Sequence, residues 1–171
     1  QGGKAPSRFG NTPVAWYSED GWKNAAFDML NFSMTNGPGR TYRYYQSQEP
    51  GGVDFPFGHG LQYVTFEVDD VDTVTDADGK VGGGSVELAW TVKNTGDRAS
   101  DNVAFCFVTG QDIPAGEPAG AVVKTLVDFQ RMSVDVGASV DVRFSVGPGD
   151  LTMHAADGSE TFFPGRYTVE V

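Results

Sequence analysis

Acidic side chains are the groups in this sequence whose spacing first suggests chemistry. Asp69-Asp70-Val71-Asp72 forms a run that continues to Asp76 and Asp78. Several carboxylates on one tight loop are the oxygen ligands that Ca²⁺ prefers. The run lacks the closing glutamate of the helix-loop-helix calcium pattern, and patterns typical of strands flank it. The sequence therefore favours a solvated acidic strand edge, which discourages edge-to-edge pairing, and predicts no metal site.

The other residues with nucleophilic or metal-binding chemistry are isolated. His59 and His154 lie far apart in the chain without a Cys/His cluster, and His59 is predicted to be a turn residue packed on neighbouring aromatic rings. The single cysteine, Cys106, lies in the apolar run 103–108 and is predicted to be a small buried core residue. The three glycines at 82–84 lack the Lys-Ser/Thr of a phosphate loop, and no Gly-x-Ser-x-Gly motif is present. No cofactor is predicted.

Charge and length narrow the class of partner. The formal net charge of -11 argues against nucleic acid and against an anionic membrane surface, because the whole molecule would repel a polyanion. A neutral partner such as a glycan is compatible with it. No apolar run approaches the roughly 20 residues that a membrane span needs, and the first residues do not resemble a signal peptide.

The sequence pattern changes near residue 60, from an irregular segment rich in aromatic residues to a series of predicted strands. Residues 1–60 have no sustained period and carry many aromatic side chains, so they are predicted to form an irregular arm that is ordered only against another surface. Residues 61–171 alternate apolar and polar positions, and predict a β-sandwich of about seven strands. Strands are predicted at Tyr63–Val71, Ser85–Lys93, Asn102–Thr109, Thr125–Ser133, Ser139–Val146 and Tyr167–Val171. The Pro- and Gly-containing segment 109–123 is predicted to be a mobile surface loop.

Two ordered motifs carry a family resemblance. Gly37-Pro38-Gly39-Arg40-Thr41-Tyr42-Arg43 precedes Phe55-Pro56-Phe57-Gly58-His59-Gly60-Leu61-Gln62-Tyr63-Val64-Thr65-Phe66. Together they resemble the hinge found late in family 3 glycoside hydrolases, the β-glucosidases and β-xylosidases. The elements Gly2-Gly3-Lys4-Ala5-Pro6 and Ala15-Trp16-Tyr17 are similar to the end of the second domain of such enzymes, and Val92 to Gly96, Leu126 to Arg131 and Phe163 to Tyr167 resemble landmarks of their C-terminal domain.

The resemblance implies a fold, a domain division and a place in a larger enzyme. Residues 1–60 would be the C-terminal tail of the preceding α/β domain with a linker, and residues 61–171 a fibronectin-III-like, immunoglobulin-like β-sandwich. Because Gln1 begins within a family motif, we expect the chain to be a C-terminal piece of a longer polypeptide. The aspartate nucleophile and the glutamate acid/base of the family belong to sequence before Gln1, so the resemblance implies no catalytic residue here.

The expected partners are the upstream catalytic domains, in the same polypeptide or in a processed partner chain. Through these domains the chain would meet a glycan substrate. The expected location is extracellular or associated with the cell wall. Arg40, Tyr42 and Arg43 are candidates for docking one domain onto another or for the rim of a sugar cleft, since arginine binds carboxylates and carbonyls bidentately. Trp16 and Trp22 are further candidates. Asn31, in Asn31-Phe32-Ser33, is the one glycosylation acceptor sequence.

Two other functions remain open at the level of sequence. One is a non-catalytic module whose aromatic side chains bind polysaccharide. The other is a structural protein of an extracellular assembly that shares the tail of such an enzyme. Departures from the family pattern keep the second open: Ala5 stands where leucine is usual, and Phe105-Cys106-Phe107 where a Gln-Leu-Tyr-like run is common.

Overall fold

A computed structural model describes residues 13–19, 30–45, 52–60, 62–69, 71–74, 84–114, 117, 120 and 122–171. Trp22 and much of the acidic run lie outside the described residues. Among these residues, a short α-helix, α1, spans Thr41–Tyr44 and a turn of 3-10 helix spans Pro148–Leu151. The strands are β1 Trp16–Tyr17, β2 Val53–Phe55, β3 Phe66–Val68, β4 Asp72–Val74, β5 Val86–Asn94, β6 Ser100–Gly110, β7 Thr125–Val134, β8 Ser139–Val146, β9 Thr152–His154, β10 Glu160–Phe162 and β11 Tyr167–Glu170.

Two antiparallel sheets form the body of the molecule. In the first sheet, β5 is central, β8 pairs with one edge of it, and β3 and β4 pair in turn with the other edge. In the second sheet, β6 is central between β11 and β7. Two small ribbons, β1 with β2 and β9 with β10, accompany them. The predicted all-β sandwich is confirmed.

Alternation along the strands explains where the core lies. Leu88, Trp90 and Val92 of β5 are buried, while Glu87 and Lys93 on either side of them are exposed. Strand β8 repeats this pattern, with Val142, Phe144 and Val146 buried. The rings of Trp90 and Phe144 meet edge to face at 5.3 Å. Residues of both sheets share one core: Leu88, Trp90, Val92, Cys106, Val108, Met132, Val134, Val142, Phe144, Val146 and Leu151.

The helices and strands of the structure depart from the sequence-based expectation at three places. Within the strand predicted at Tyr63–Val71 only the short β3 is present, and β4, which follows it, pairs with the same edge of β5. The N-terminal arm, predicted to be irregular, contains α1 and the β1–β2 ribbon. The β9–β10 ribbon, which pairs Glu160 with His154, was not predicted. Strands of two or three residues are too short for a period of two to be recognisable.

The loop after β6, predicted to be a mobile surface connection, is tied to the end of the sandwich. Gln111 N donates to Arg166 O at 2.9 Å. Asp112 accepts from the Arg166 guanidinium at 3.0 Å. Ile113 packs against the small buried pair Met153 and Phe163. The described part of this loop is therefore held by hydrogen bonds, an ion pair and apolar contact.

Candidate functional site

Four aromatic rings join the N-terminal arm to the outer face of the second sheet; we call them the aromatic clamp. Tyr42 of α1 stacks on Phe57 with 4.3 Å between ring centroids. Tyr42 also meets Phe107 edge to face at 6.0 Å, and Phe57 lies 6.2 Å from both Phe105 and Phe107. Offset and edge-to-face pairs at such distances contribute about 0.5–1.5 kcal/mol each beyond the area they bury.

Strand β6 presents this surface because it is apolar on both faces. Cys106 and Val108 point into the core between the sheets, so Phe105 and Phe107, one residue out of phase, lie on the opposite face. Close approach of the arm requires a glycine: Gly58 has φ +81°, and a Cβ there would lie 3.2 Å from the Phe105 ring. A larger residue would push the 55–60 turn away from β6.

Hydrogen bonds fix the arm on the strand that follows. Val123 N donates to Arg43 O at 2.6 Å, and Leu126 N donates to the Tyr42 hydroxyl at 3.3 Å. Lys124 places its ammonium 4.5 Å from the centre of the Phe107 ring, and it pairs with Glu170 at 3.3 Å. The contact between arm and sandwich therefore combines ring stacking with two hydrogen bonds, and the cation–π pair within the sandwich lies beside it.

The loop that carries Tyr42 is itself held in an unusual conformation. Thr41 has φ 62°, a left-handed value that is rare for a β-branched residue. Its N–H donates to the Tyr17 hydroxyl at 2.7 Å, and burial raises the pKa of Tyr17 although this hydrogen bond opposes the rise. Gly39 has φ +84°, and a Cβ there would be 1.8 Å from Tyr44 O. Contacts with β1 and within the loop hold this strained backbone in place.

The two candidate arginines have different surroundings. Arg43 docks through its backbone carbonyl, while its guanidinium lies 5.8 Å from the Tyr44 ring and its Nε is buried without a hydrogen bond in the described part of the chain. Arg40 is half-buried at the start of α1. Among the contacts of the described residues, Arg98 and Arg166, which sequence reasoning missed, form bidentate pairs with Asp97 and Asp112. Arg131 donates twice to one oxygen of Asp101.

Trp16 lies apart from the aromatic clamp, on an exposed aromatic edge formed by the β1–β2 ribbon. Trp16 is 59% exposed and Phe55, its partner in the pairing of the two strands, is 45% exposed. Their rings are 6.5 Å apart and nearly perpendicular, at 84°. His59 packs 5.1 Å from Phe55, as predicted for this turn residue. Among the described residues, no ring contact joins Trp16 to Tyr42, and Trp22 lies outside those residues.

Three of the described carboxyl groups have a lowered pKa. The pKa of Asp112 is lowered by the Arg166 hydrogen bonds, that of Asp97 by Arg98, and that of Asp157 by Ser159. A carboxylic acid that donates a proton to a leaving group needs the opposite shift. Among the described residues, no group of three His, Cys, Asp or Glu side chains could hold a metal ion. No helix within them is long and apolar enough to cross a membrane.

The two-sheet sandwich with its clamped arm places the chain in the class of β-sandwich modules. Structures of β-glucosidases contain a similar fold. The chain is similar to a β-glucosidase structure from Kluyveromyces marxianus, with a TM-score of 0.60, 28% identity, and coverage of 76% of this chain and 15% of that one. It is also similar to the structure of a β-glucosidase from Erythrobacter marinus, with a TM-score of 0.59, 26% identity, and coverage of 82% of this chain and 18% of that one.

Relatives in sequence extend this class to a family. The chain is 35% identical to an exo-1,4-beta-xylosidase of Emericella nidulans over 175 residues, which is 95% of this chain and 22% of that protein. It is 33% identical to a probable exo-1,4-beta-xylosidase of Aspergillus terreus, over 95% of this chain and 21% of that protein. No family model matches the chain. The chain belongs to glycoside hydrolase family 3, and it spans about one fifth of the length of the curated relatives it matches.

Proposed function

We propose that this chain is the non-catalytic C-terminal part of a family 3 glycoside hydrolase, a β-xylosidase or β-glucosidase, and that it docks onto the catalytic domains and stabilises them. The complete enzyme would release a terminal sugar from a β-linked glycoside with retention of configuration. It would act outside the cell or at the cell wall. The observation that carries the proposal is the aromatic clamp, which fixes an arm to the sandwich while leaving the aromatic edge of the arm exposed.

The chemistry of the described carboxyl groups supports a non-catalytic role. Retaining hydrolysis needs two carboxyl groups about 5–5.5 Å apart, one of them with a raised pKa. The carboxyl groups with perturbed pKa values here, Asp97, Asp112 and Asp157, are all shifted downward by hydrogen-bond donors. Each is held as a carboxylate by its neighbour, which suits a turn or an ion pair rather than proton transfer.

The exposed edge of the arm supports docking. Val14, Trp16 and Phe55 are large apolar side chains that remain exposed on or beside the two-stranded β1–β2 ribbon. An isolated two-stranded ribbon is marginally stable in water, and exposed aromatic side chains of this kind anchor interfaces. Upstream domains of the same polypeptide would bury these rings against their own surface.

Hydrolysis by the purified chain tests the first half of the proposal. Residues 1–171 are incubated with aryl β-xyloside and aryl β-glucoside, and release of the phenol is followed against the complete polypeptide as positive control. We expect no release above the buffer rate from the chain alone. Turnover by the chain alone would contradict the non-catalytic role.

Docking is tested in the complete polypeptide with Trp16→Ala and Phe55→Ala. We expect both variants to lose activity at a lower temperature than the parent, because the catalytic domains lose apolar contact with the arm. Val136→Ala is the matched control, since Val136 is equally exposed but lies in the β7–β8 turn. Equal thermal inactivation of all three variants and the parent would argue against docking through this edge.

A polysaccharide-binding module is the second candidate, because the exposure of Trp16 and Phe55 would allow contact with a glycan, but the arrangement of the two rings favours docking. Flat sugar faces stack best on coplanar rings, whereas Trp16 and Phe55 are nearly perpendicular. Affinity electrophoresis of the chain in gels containing xylan separates the two candidates. Retardation that disappears in Trp16→Ala would support glycan binding, and mobility independent of xylan would support docking.

A further inference from the structure

Asn31 lies on an exposed turn that leads to α1. Asn31, Phe32 and Ser33 are all exposed. Together they form the one sequence in the chain with asparagine followed by a non-proline residue and then serine or threonine. Enzymes that attach glycans to asparagine require this triplet on an accessible loop. Sequence and exposure therefore coincide at this position.

The local geometry leaves the reactive nitrogen of Asn31 free. Ser33 N donates to Asn31 Oδ1 at 3.0 Å, which closes an Asx turn. The Ser33 and Thr35 hydroxyls are 3.0 Å apart and extend the same turn. Asn31 Nδ2 makes no hydrogen bond to any residue that the structure describes. The acceptor amide is thus oriented by its oxygen while its nitrogen remains accessible.

The flanking side chains supply an independent observation. Leu30 is 89% exposed and Phe32 is 86% exposed, the highest values among the large apolar side chains described. Exposed apolar surface of this kind favours association between molecules. A sugar attached at Asn31 would stand between these two side chains and would cover them, since sugar rings present C–H groups as well as hydroxyls.

We propose that Asn31 is an N-glycosylation site. In the reaction, Asn31 Nδ2 attacks the anomeric carbon of an oligosaccharide linked to a lipid pyrophosphate. The new C–N bond replaces the C–O bond to the pyrophosphate, which leaves with the lipid, and one amide proton passes to a base. The inference rests on the extracellular location included in the proposed function.

The test is the mass of the Asn31 peptide after secretion of the full chain from a yeast host. We expect this peptide to carry N-acetylhexosamine, and enzymatic deglycosylation to convert Asn31 to aspartate. Ser33→Ala should abolish the modification and Ser33→Thr should retain it, because the hydroxyl is required and either hydroxyl residue supplies it. The mass of the Asn31 peptide depends neither on hydrolysis nor on domain docking. An unmodified Asn31 can therefore be distinguished from a failure of the proposed function.

Asp157→Asn provides a matched control. Ser159 N donates to Asp157 Oδ1 at 2.9 Å in an exposed turn of the same kind, and the substitution completes an acceptor triplet with Gly158 and Ser159. It is placed in an Asn31→Gln background. An unmodified Asn31 in the secreted parent overturns the inference. If position 157 is modified in that case, the host can glycosylate the chain and Asn31 itself is not an acceptor. If neither position is modified, the chain receives no N-glycan.

Discussion

Asn94 is the polar side chain that joins the two sheets at one end of the sandwich. It lies at the end of β5 and is fully buried. Its Nδ2 donates to Arg98 O at 2.8 Å and to Val134 O at 3.0 Å, and its Oδ1 accepts from Gly96 N at 2.9 Å. Every polar atom of the side chain is therefore satisfied, and Val134 belongs to a strand of the opposite sheet.

We expect Asn94→Asp to destabilise the fold by about 3 kcal/mol, because the shape is kept while both donors are lost and a carboxyl group faces two carbonyl oxygens. Urea unfolding measures the change in free energy of unfolding, provided that the parent and the variant have the same m value. Asn31→Asp in non-glycosylated protein is the control, and as an exposed substitution it should change the free energy of unfolding by less than about 0.5 kcal/mol. A loss below about 1 kcal/mol for Asn94→Asp would contradict this role.

Cys106 makes stability depend on pH in the alkaline range. Burial raises the pKa of its thiol from 9.0 to about 11, and the Asp128 and Asp150 carboxylates add to the shift. The unfolded chain thus releases this proton at lower pH than the folded chain. The contribution of the thiol is complete below pH 9 and is lost as the pH rises through about 11.

The free energy of unfolding should therefore fall more steeply with pH in the parent than in Cys106→Val across this interval. Comparison of the two proteins removes the titration of tyrosines and lysines, which both share. Thiol reagents should modify Cys106 only in denaturant, since the folded side chain is inaccessible. Parallel pH profiles of the parent and the variant would refute the assignment.

At the scale of elements, β6 shows both what sequence patterns reveal and what they hide. The run Val103 to Val108 was predicted to be a strand with Cys106 in the core, and both predictions are confirmed. The run is apolar at successive positions because the opposite sheet covers one face and the arm covers part of the other. Continuous apolar strands are typical of burial on both faces, and this signal could have identified Phe105 and Phe107 as the receptor for the arm.

Docking of the arm predicts energetic coupling between Tyr42 and Phe107. We expect Tyr42→Ala and Phe107→Ala to destabilise the protein singly, and the double variant to lose less than their sum by about 0.5–1.5 kcal/mol, since their edge-to-face contact can be lost only once. The free energies of unfolding of the four proteins measure the coupling. The double variant of Tyr42→Ala and Val136→Ala is the control. We expect the losses in free energy of unfolding to add there, because Val136 lies in the β7–β8 turn. If the losses in free energy of unfolding caused by Tyr42→Ala and Phe107→Ala add, the contact in the aromatic clamp is excluded.

At the scale of the whole molecule, the sequence predicts the sandwich well and the arm less completely. Long strands such as β5 and β8 carry enough alternating positions to define both faces, and their bounds agree with prediction to within one residue. The β1–β2 and β9–β10 ribbons depend on tertiary contacts rather than on a local pattern. The docking geometry of Tyr42 likewise results from long-range packing, although the motif that contains it was evident in the sequence.

The net charge of the whole molecule leads to a further prediction. With a formal charge of -11, the folded chain concentrates negative charge that the unfolded chain spreads out, so self-repulsion destabilises the compact state. At about 0.01 M ionic strength the screening length is about 30 Å and repulsion acts across the domain, whereas at 1 M it is about 3 Å. We therefore expect the melting temperature to rise when sodium chloride is added to a low-salt buffer.

Glu87 allows this explanation to be separated from a general effect of salt. It is exposed on β5 and lies opposite Ser145 in the register with β8. In low salt, the melting temperature should increase from the parent to Glu87→Gln and again to Glu87→Lys, since each step removes one unit of excess negative charge at nearly constant side-chain length. In high salt the three values should converge, because screening suppresses the repulsion that the substitutions relieve. Differences that persist unchanged at high salt would show that local contacts of residue 87, rather than the charge of the whole chain, set the order.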